Sequence, residues 1–169
     1  GLGDVYKRQF KQFIFNLMKI KPWIQAARLR TLPLAITCVL LGGAVARAHG
    51  LDETGLARFT PVVVGALVTV MLLQILANFA NDYGDFTKGT DTAARRTDRA
   101  LASGLLTASA MKKGVTITAI SALVAGVVTL ILAFVPGVVP GTGGATLDGA
   151  RMGLLGALGV AGIVAAMRY

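Results

Sequence analysis

Long windows without a charged residue alternate along this chain with short basic segments. Thr31 to Ala46 is uncharged over 16 residues, Thr60 to Asn81 over 22, Gly114 to Leu147 over 34 and Met152 to Met167 over 16. A bilayer core takes about 20 helical residues, fewer where the ends snorkel. The pattern therefore predicts four transmembrane helices, roughly 29–48, 60–81, 114–135 and 151–168. The third window is too long for one span. Pro136-Gly137, Pro140-Gly141 and Gly143-Gly144 break it, so 136–150 reads as an exposed loop. The fold class expected is an all-α integral membrane protein.

Composition agrees. Of 169 residues 54% are hydrophobic and 15% charged, where a soluble domain carries about 25% charged residues. The 21 glycines are no objection, since membrane helices tolerate glycine well. Seventeen Lys and Arg against eight Asp and Glu give a net charge of +9. On so apolar a chain this charge points to an anionic membrane surface and not to nucleic acid. Its distribution gives a topology. Seven basic residues precede the first span, two lie in the first loop, six in the second and one in the third. The N-terminus and the second loop are thus expected on the cytoplasmic side of the inner (plasma) membrane. Trp23 suits an interfacial anchor, and the single cysteine, Cys38, reads as a small core residue that excludes an internal disulfide.

The first residues do not read as a signal peptide. Gly1 to Gln9 looks like translated adaptor sequence and Met18 suits a true start, so residues 1–17 are set apart as non-native or upstream. Residues 18–169 are expected to be a piece of a longer membrane protein, because the last span stops at the chain end. No internal repeat is evident.

One polar stretch is not explained by membrane insertion. From Gln74 to Asp91 the chain reads QILANFANDYGDFTKGTD. If the second helix continues through it, Gln74, Asn78, Asn81, Asp82 and Asp85 fall at i, i+4, i+7, i+8 and i+11 on one face. Leu72, Leu73, Leu76 and Phe79 make the opposite, apolar face. A polar stripe ending in carboxylates at membrane depth is expensive unless it lines a cavity. Asp82, Asp85 and Asp91 are hard oxygen donors of the kind Mg2+ takes together with waters and substrate phosphates. Lys88, Arg95, Arg96 and Arg99 follow, as cations that hold phosphate oxygens. The alternatives are a juxtamembrane loop whose acids pair with its own bases, and a transporter half that uses the acids for a cation. Transporter helices usually break near the midplane, whereas these acids end an unbroken span. His49, the lone histidine, lies on the other side, so no Ser-His-Asp set can assemble, and no glycine-rich phosphate loop is present.

The stretch Asn78-Phe-Ala-Asn81-Asp82-Tyr-Gly-Asp85-Phe-Thr-Lys88-Gly-Thr-Asp91 resembles the first aspartate-rich motif of the UbiA-type intramembrane prenyltransferases. It is most similar to their 1,4-dihydroxy-2-naphthoate polyprenyltransferase branch. Trp23-Ile-Gln-Ala-Ala-Arg28-Leu-Arg30-Thr-Leu-Pro33 and Arg99-Ala-Leu-Ala-Ser103-Gly104-Leu-Leu-Thr107 agree. The general pattern spaces its acids four apart after Asn81 and Asp85; here position 89 is Gly and the last acid is Asp91, a departure that branch shares.

The resemblance runs from about Met18 to Tyr169 and covers the first half of such an enzyme. It implies a nine-helix bundle with a cavity open to lipid, in which two aspartate-rich motifs hold Mg2+ and a polyprenyl diphosphate. It implies transfer of the prenyl group to the naphthoate with loss of its carboxylate, giving demethylmenaquinone in menaquinone biosynthesis. On this carry-over Asn81, Asp82, Asp85 and Asp91 are catalytic, and Asn81, Asp85 and Asp91 hold the metal. Asn78, Lys88, Arg99 and Arg28 are the substrate-binding residues. The partners are a polyprenyl diphosphate, an aromatic acid and the bilayer. The second motif would follow Tyr169, so this chain alone is expected to be inactive. Another aromatic acceptor, such as 4-hydroxybenzoate, stays open.

Overall fold

The structure, a computed structural model, describes residues 19–51, 53–90, 99–136 and 149–168. Four expectations lie outside the described residues: the segment 1–17, Asp91, the cations Arg95 and Arg96, and the loop after Pro136 over 137–148. Every regular element described is helical. A short helix α1 covers 19–27, a 3-10 turn Leu29–Thr31 follows, and then come α2 (Leu32–Ala48), α3 (Glu53–Thr87), α4 (Ala108–Phe134) and α5 (Gly149–Met167). Four helical stretches are long and apolar enough to cross a membrane: Lys19–Ala48, Gly55–Thr87, Ala108–Phe134 and Gly149–Met167. The chain is a multi-pass, all-α membrane protein.

The span boundaries differ from the charge-free windows in instructive ways. α3 starts at Glu53 and carries Pro61 inside it. Arg58 belongs to that helix because its guanidinium reaches the end of α4, donating from Nη1 to the carbonyl of Ala133 at 2.6 Å and from Nη2 to that of Val135 at 3.3 Å. A cation is favoured there by the carbonyls a helix C-terminus leaves open. α4 starts at Ala108, with the Thr107 hydroxyl accepting from the Ala110 amide at 3.2 Å as its N-cap. Lys112 and Lys113 are exposed on its first turns, so they do not stop the helix.

Many large apolar side chains of the described residues are exposed, as a lipid solvent requires. α5 has no buried residue and α2 has only Ala35. Leu34, Leu41, Ile117 and Leu154 stand among many exposed large side chains. Cys38 is exposed too, which corrects the expectation of a core residue: it stands on the outer face of α2, where a lipid solvent suits its small apolar side chain as well as a core would. Between α3 and α4, small residues permit close approach, and Gly65 faces Thr129, whose hydroxyl lies 3.3 Å from that of Thr69.

The buried cluster is concentrated at one end. It joins Ala26 and Ala27 of α1, Leu76 and Phe79 of α3, Met111, Val115 and Ala119 of α4, and Ala100 and Leu101 between α3 and α4. Trp23 packs against this cluster. Its ring meets Phe79 edge-on at 5.5 Å and covers Gly114, where a Cβ would lie 2.5 Å from the indole. Trp23, read as an interfacial anchor, is half-buried, and its indole pins α1 onto α3 and α4.

Candidate active site at the polar end of the bundle

α1 ends in an unusual turn. Arg28 adopts φ 50°, ψ 59°, a left-handed conformation that side chains other than Gly and Asn rarely take. Such strain needs compensation from its surroundings. The Arg28 carbonyl accepts from the Thr31 amide at 2.8 Å and from the Thr31 hydroxyl at 2.9 Å. The same hydroxyl oxygen accepts from the Asn78 amide at 3.1 Å and from the Gln74 amide at 3.4 Å. Asn78 also donates to the Ala27 carbonyl at 2.8 Å. The upper part of the polar stripe is therefore a seam that ties the turn after α1 to α3. Gln74 and Asn78 have their partners inside the protein, and Leu76 and Phe79, on the face expected to meet lipid or protein, meet protein.

Below this seam α3 runs unbroken through Asn81, Asp82 and Asp85 to Thr87, so all three share one helix as the spacing predicts. Their surroundings separate them. Asp85 has a side chain 26% exposed and pairs with Arg99, whose Nη2 lies 2.9 Å from Oδ2. Asn81 is half-buried, and its side-chain amide makes no hydrogen bond among the described residues. Asp82 is only 2% exposed, and neither carboxylate oxygen has a hydrogen-bond partner among the described residues. Arg99 and, more weakly, Arg28 act on it electrostatically, as do the Leu101 and Ala100 backbone amides.

Arg99 comes from the segment that leads into α4. Residues 99–106 fold into consecutive turns: Ser103 and Gly104 amides donate to the Arg99 and Leu101 carbonyls, and those of Leu105 and Leu106 share the Ala100 carbonyl. The Ser103 hydroxyl adds a bond of 2.7 Å to the Arg99 carbonyl, and Gly104 supplies the positive φ of 71° that the reversal needs. Ala100 and Leu101 are buried beneath α3 and anchor the segment.

The structure thus brings Arg28, Asn78, Asn81, Asp82, Asp85 and Arg99 to one end of the bundle. Lys88 stands exposed just beyond α3, where its amide closes the helix on the Gly84 carbonyl. Among the described residues no group of three acidic, His or Cys side chains is gathered as a metal site. Thr31 is the participant that sequence reasoning missed. Its only signal was its place one residue before Leu32-Pro33, a usual helix start.

Comparison with known proteins bears on this site. The chain is 35% identical over 120 residues to the 1,4-dihydroxy-2-naphthoate octaprenyltransferase of Escherichia coli (strain K12), a stretch that is 70% of this chain and 37% of that protein. It is 38% identical over 110 residues to the protein of the same name in Haemophilus influenzae (strain ATCC 51907 / DSM 11121 / KW20 / Rd), covering 64% of this chain and 34% of that one. The matched stretch spans about a third of the length of these curated relatives. No family model matches the chain. No solved structure matches it either. Two relatives of one name, matched at this identity along most of the chain, agree with the motif around Asn81 and Asp85. Over the part it spans, the chain belongs to the UbiA-type intramembrane prenyltransferases.

Proposed function

We propose that the parent protein transfers a polyprenyl group from its diphosphate to 1,4-dihydroxy-2-naphthoate, with loss of the carboxylate as carbon dioxide and release of diphosphate, giving the quinol form of demethylmenaquinone. The observation that carries the reading is the meeting of Asp85 with Arg99 across the turn segment, beside the unengaged amide of Asn81. A carboxylate, an amide oxygen and a guanidinium together suit an anion accompanied by a hard cation, whereas an ion pair alone has no use for Asn81.

The donor chemistry fits Mg2+. Asn81 and Asp85 stand one turn apart on α3, Asp85 is partly open, and Asp91 would supply a further oxygen. When bound there, the cation supplies positive charge against the diphosphate oxygens. Arg99, with Lys88 nearby, binds and orients the diphosphate. Their charge favours departure of that group with the electron pair of the allylic C–O bond. The aromatic ring then attacks the allylic carbon, and the electrons of the lost carboxylate restore aromaticity. The apolar helices exclude water from the cation. Arg28 and Asn78 act at one remove, by fixing α1 against α3.

The test uses the full-length parent in membranes. It is expected to consume polyprenyl diphosphate only when an aromatic acceptor is present, and to release carbon dioxide with the naphthoate. Product with 4-hydroxybenzoate alone would move the protein to another branch. No product with any acceptor, together with acid-dependent cation flux, would overturn the enzyme reading. Orientation is tested separately: a thiol replacing Thr90 should be labelled from the cytoplasmic side and one replacing His49 from outside. The reverse pattern rejects the topology.

A further inference from the structure

We infer that Asp82 is a positioning residue: a buried counter-charge, facing Arg99 and Arg28, that fixes the 99–106 segment on α3 and so aims Arg99 at the diphosphate beside Asp85. The inference rests on the proposed function for what Arg99 holds, but not for the contact itself.

The motif groups Asp82 with Asp85 as one acidic set, and the helix period places both on one stripe. The structure sets them apart. Asp85 is a quarter exposed and engages Arg99 at the open edge, whereas Asp82 is 2% exposed with neither oxygen satisfied by a hydrogen bond among the described residues. A carboxylate so enclosed is poorly placed to meet a substrate that enters from the membrane surface. A buried charge also survives only where other charges and dipoles compensate it. Those available come from two segments: Arg28 at the end of α1, and Arg99 with the amides of Ala100 and Leu101 at the start of the turns.

Arg99 is consequently placed between two acids. Asp85 takes its Nη2 at 2.9 Å, and Asp82, three residues earlier on the same helix and buried, attracts it electrostatically, with the Arg99 side chain itself only 8% exposed. Two carboxylates around one guanidinium hold it with less freedom than one does. If the outer acid were to hold a metal, the inner acid would keep the guanidinium in place. Arg28 adds a weaker attraction on Asp82 from the end of α1. Its left-handed backbone is held by Thr31, and Asn78 fixes that turn to the same helix that carries Asp82.

Removing one member of a buried charge cluster leaves the rest uncompensated and is strongly destabilising. The consequence should be local, because the 99–106 segment is a surface turn able to open without the spans. The experiment uses the full-length parent in membranes with Cys38→Ala and Ala100→Cys, position 100 being fully buried. Asp82→Asn should raise the labelling rate of the thiol at position 100 at least about tenfold by local opening. Asp85→Asn, which removes a partly solvated pair, should raise it less than about threefold. In steady-state prenyl transfer, without the thiol, Asp82→Asn should raise KM for polyprenyl diphosphate about tenfold, while KM for the acceptor and the Mg2+ concentration for half activity stay within about twofold. General destabilisation lowers kcat and moves neither KM. Asp82→Glu, which keeps the charge, should recover most of the diphosphate affinity.

Unchanged labelling in Asp82→Asn, or a raised Mg2+ requirement, overturns the inference and makes Asp82 a ligand-side acid. If Asp82→Asn does not accumulate in the membrane, Arg99→Gln substitutes for it: labelling raised to the same degree supports the inference, and unchanged labelling overturns it. The labelling result holds whether or not the parent transfers prenyl groups, so failure of that reading is distinguishable.

Discussion

The two ends of α3 each carry arginine chemistry, and they use it differently. At the Glu53 end Arg58 donates to two backbone carbonyls of α4, and Arg47 stacks over Phe59 at 6.0 Å. At the Thr87 end Arg99 meets Asp85 and lies near a second, buried carboxylate. Main-chain carbonyls at a helix terminus are fixed and present whether or not a ligand binds, so an arginine that serves them joins helices. Side-chain carboxylates can change partners. An arginine that serves them can release one for a metal or an anion. The comparison teaches that the charge of a residue says little in this bundle until its acceptor is known.

Substitutions at four positions break or sharpen that contrast, and the largest effect belongs to the carboxylate end. In the full-length parent Asp85→Asn should reduce prenyl transfer by about 100-fold or more, since on the proposed mechanism it removes charge that would stabilise the transition state. The protein should still insert, as judged by its amount in washed membranes. Retained activity would return Asp85 to the status of a loop charge. Next comes the shared core beneath the site: Trp23→Ala should lower unfolding stability by about 2 kcal/mol, below the range for a fully buried indole because the ring is only half-buried. Thermal denaturation in detergent measures it, and no shift would deny that α1 is pinned by its indole. A smaller loss, about 1.5 kcal/mol, is expected for Asn78→Leu, which leaves the Ala27 carbonyl and Thr31 hydroxyl without their amide. Asn78→Asp should be at least as damaging, because it offers an acceptor to an acceptor. Smallest is Arg58→Ala at about 1 kcal/mol or less, with prenyl transfer within about twofold of the parent. A large activity loss there would erase the distinction between the two ends.

Much of the fold could be read in the chain because lipid imposes a simple demand. A helix in hydrocarbon must be long and uncharged, so α2, α3, α4 and α5 each coincide with a charge-free window. Their ends were harder, since Arg58 and Lys112 fit inside helices once carbonyls or water receive their charges. The N-cap at Thr107 was a better marker of the start of α4 than the first uncharged residue. The break after α1 gave no local signal, because a left-handed residue is usually announced by Gly or Asn and here is Arg28. At the site, one helix period sufficed to align Asn81, Asp82 and Asp85. It could not separate Asp82 from Asp85, because burial there is set by residues 99–106, and a helix wheel carries no knowledge of a distant turn. Asp91 lies outside the described residues and stays with the metal proposal as the motif assigned it.

The Thr31 hydroxyl also has a consequence in time. A chain emerging from the ribosome delivers Thr31 well before its partners, 43 residues ahead of Gln74 and 47 ahead of Asn78. Until α3 arrives, the first hairpin element sits in the membrane with its junction unclosed, and α3 in turn enters with two amides that hydrocarbon solvates poorly. Each half removes the other's penalty. The seam therefore favours lateral capture of α3 by the element already inserted, over its escape alone into lipid. A substitution there should be felt first as slow or faulty assembly during synthesis, before any mature enzyme exists to be assayed.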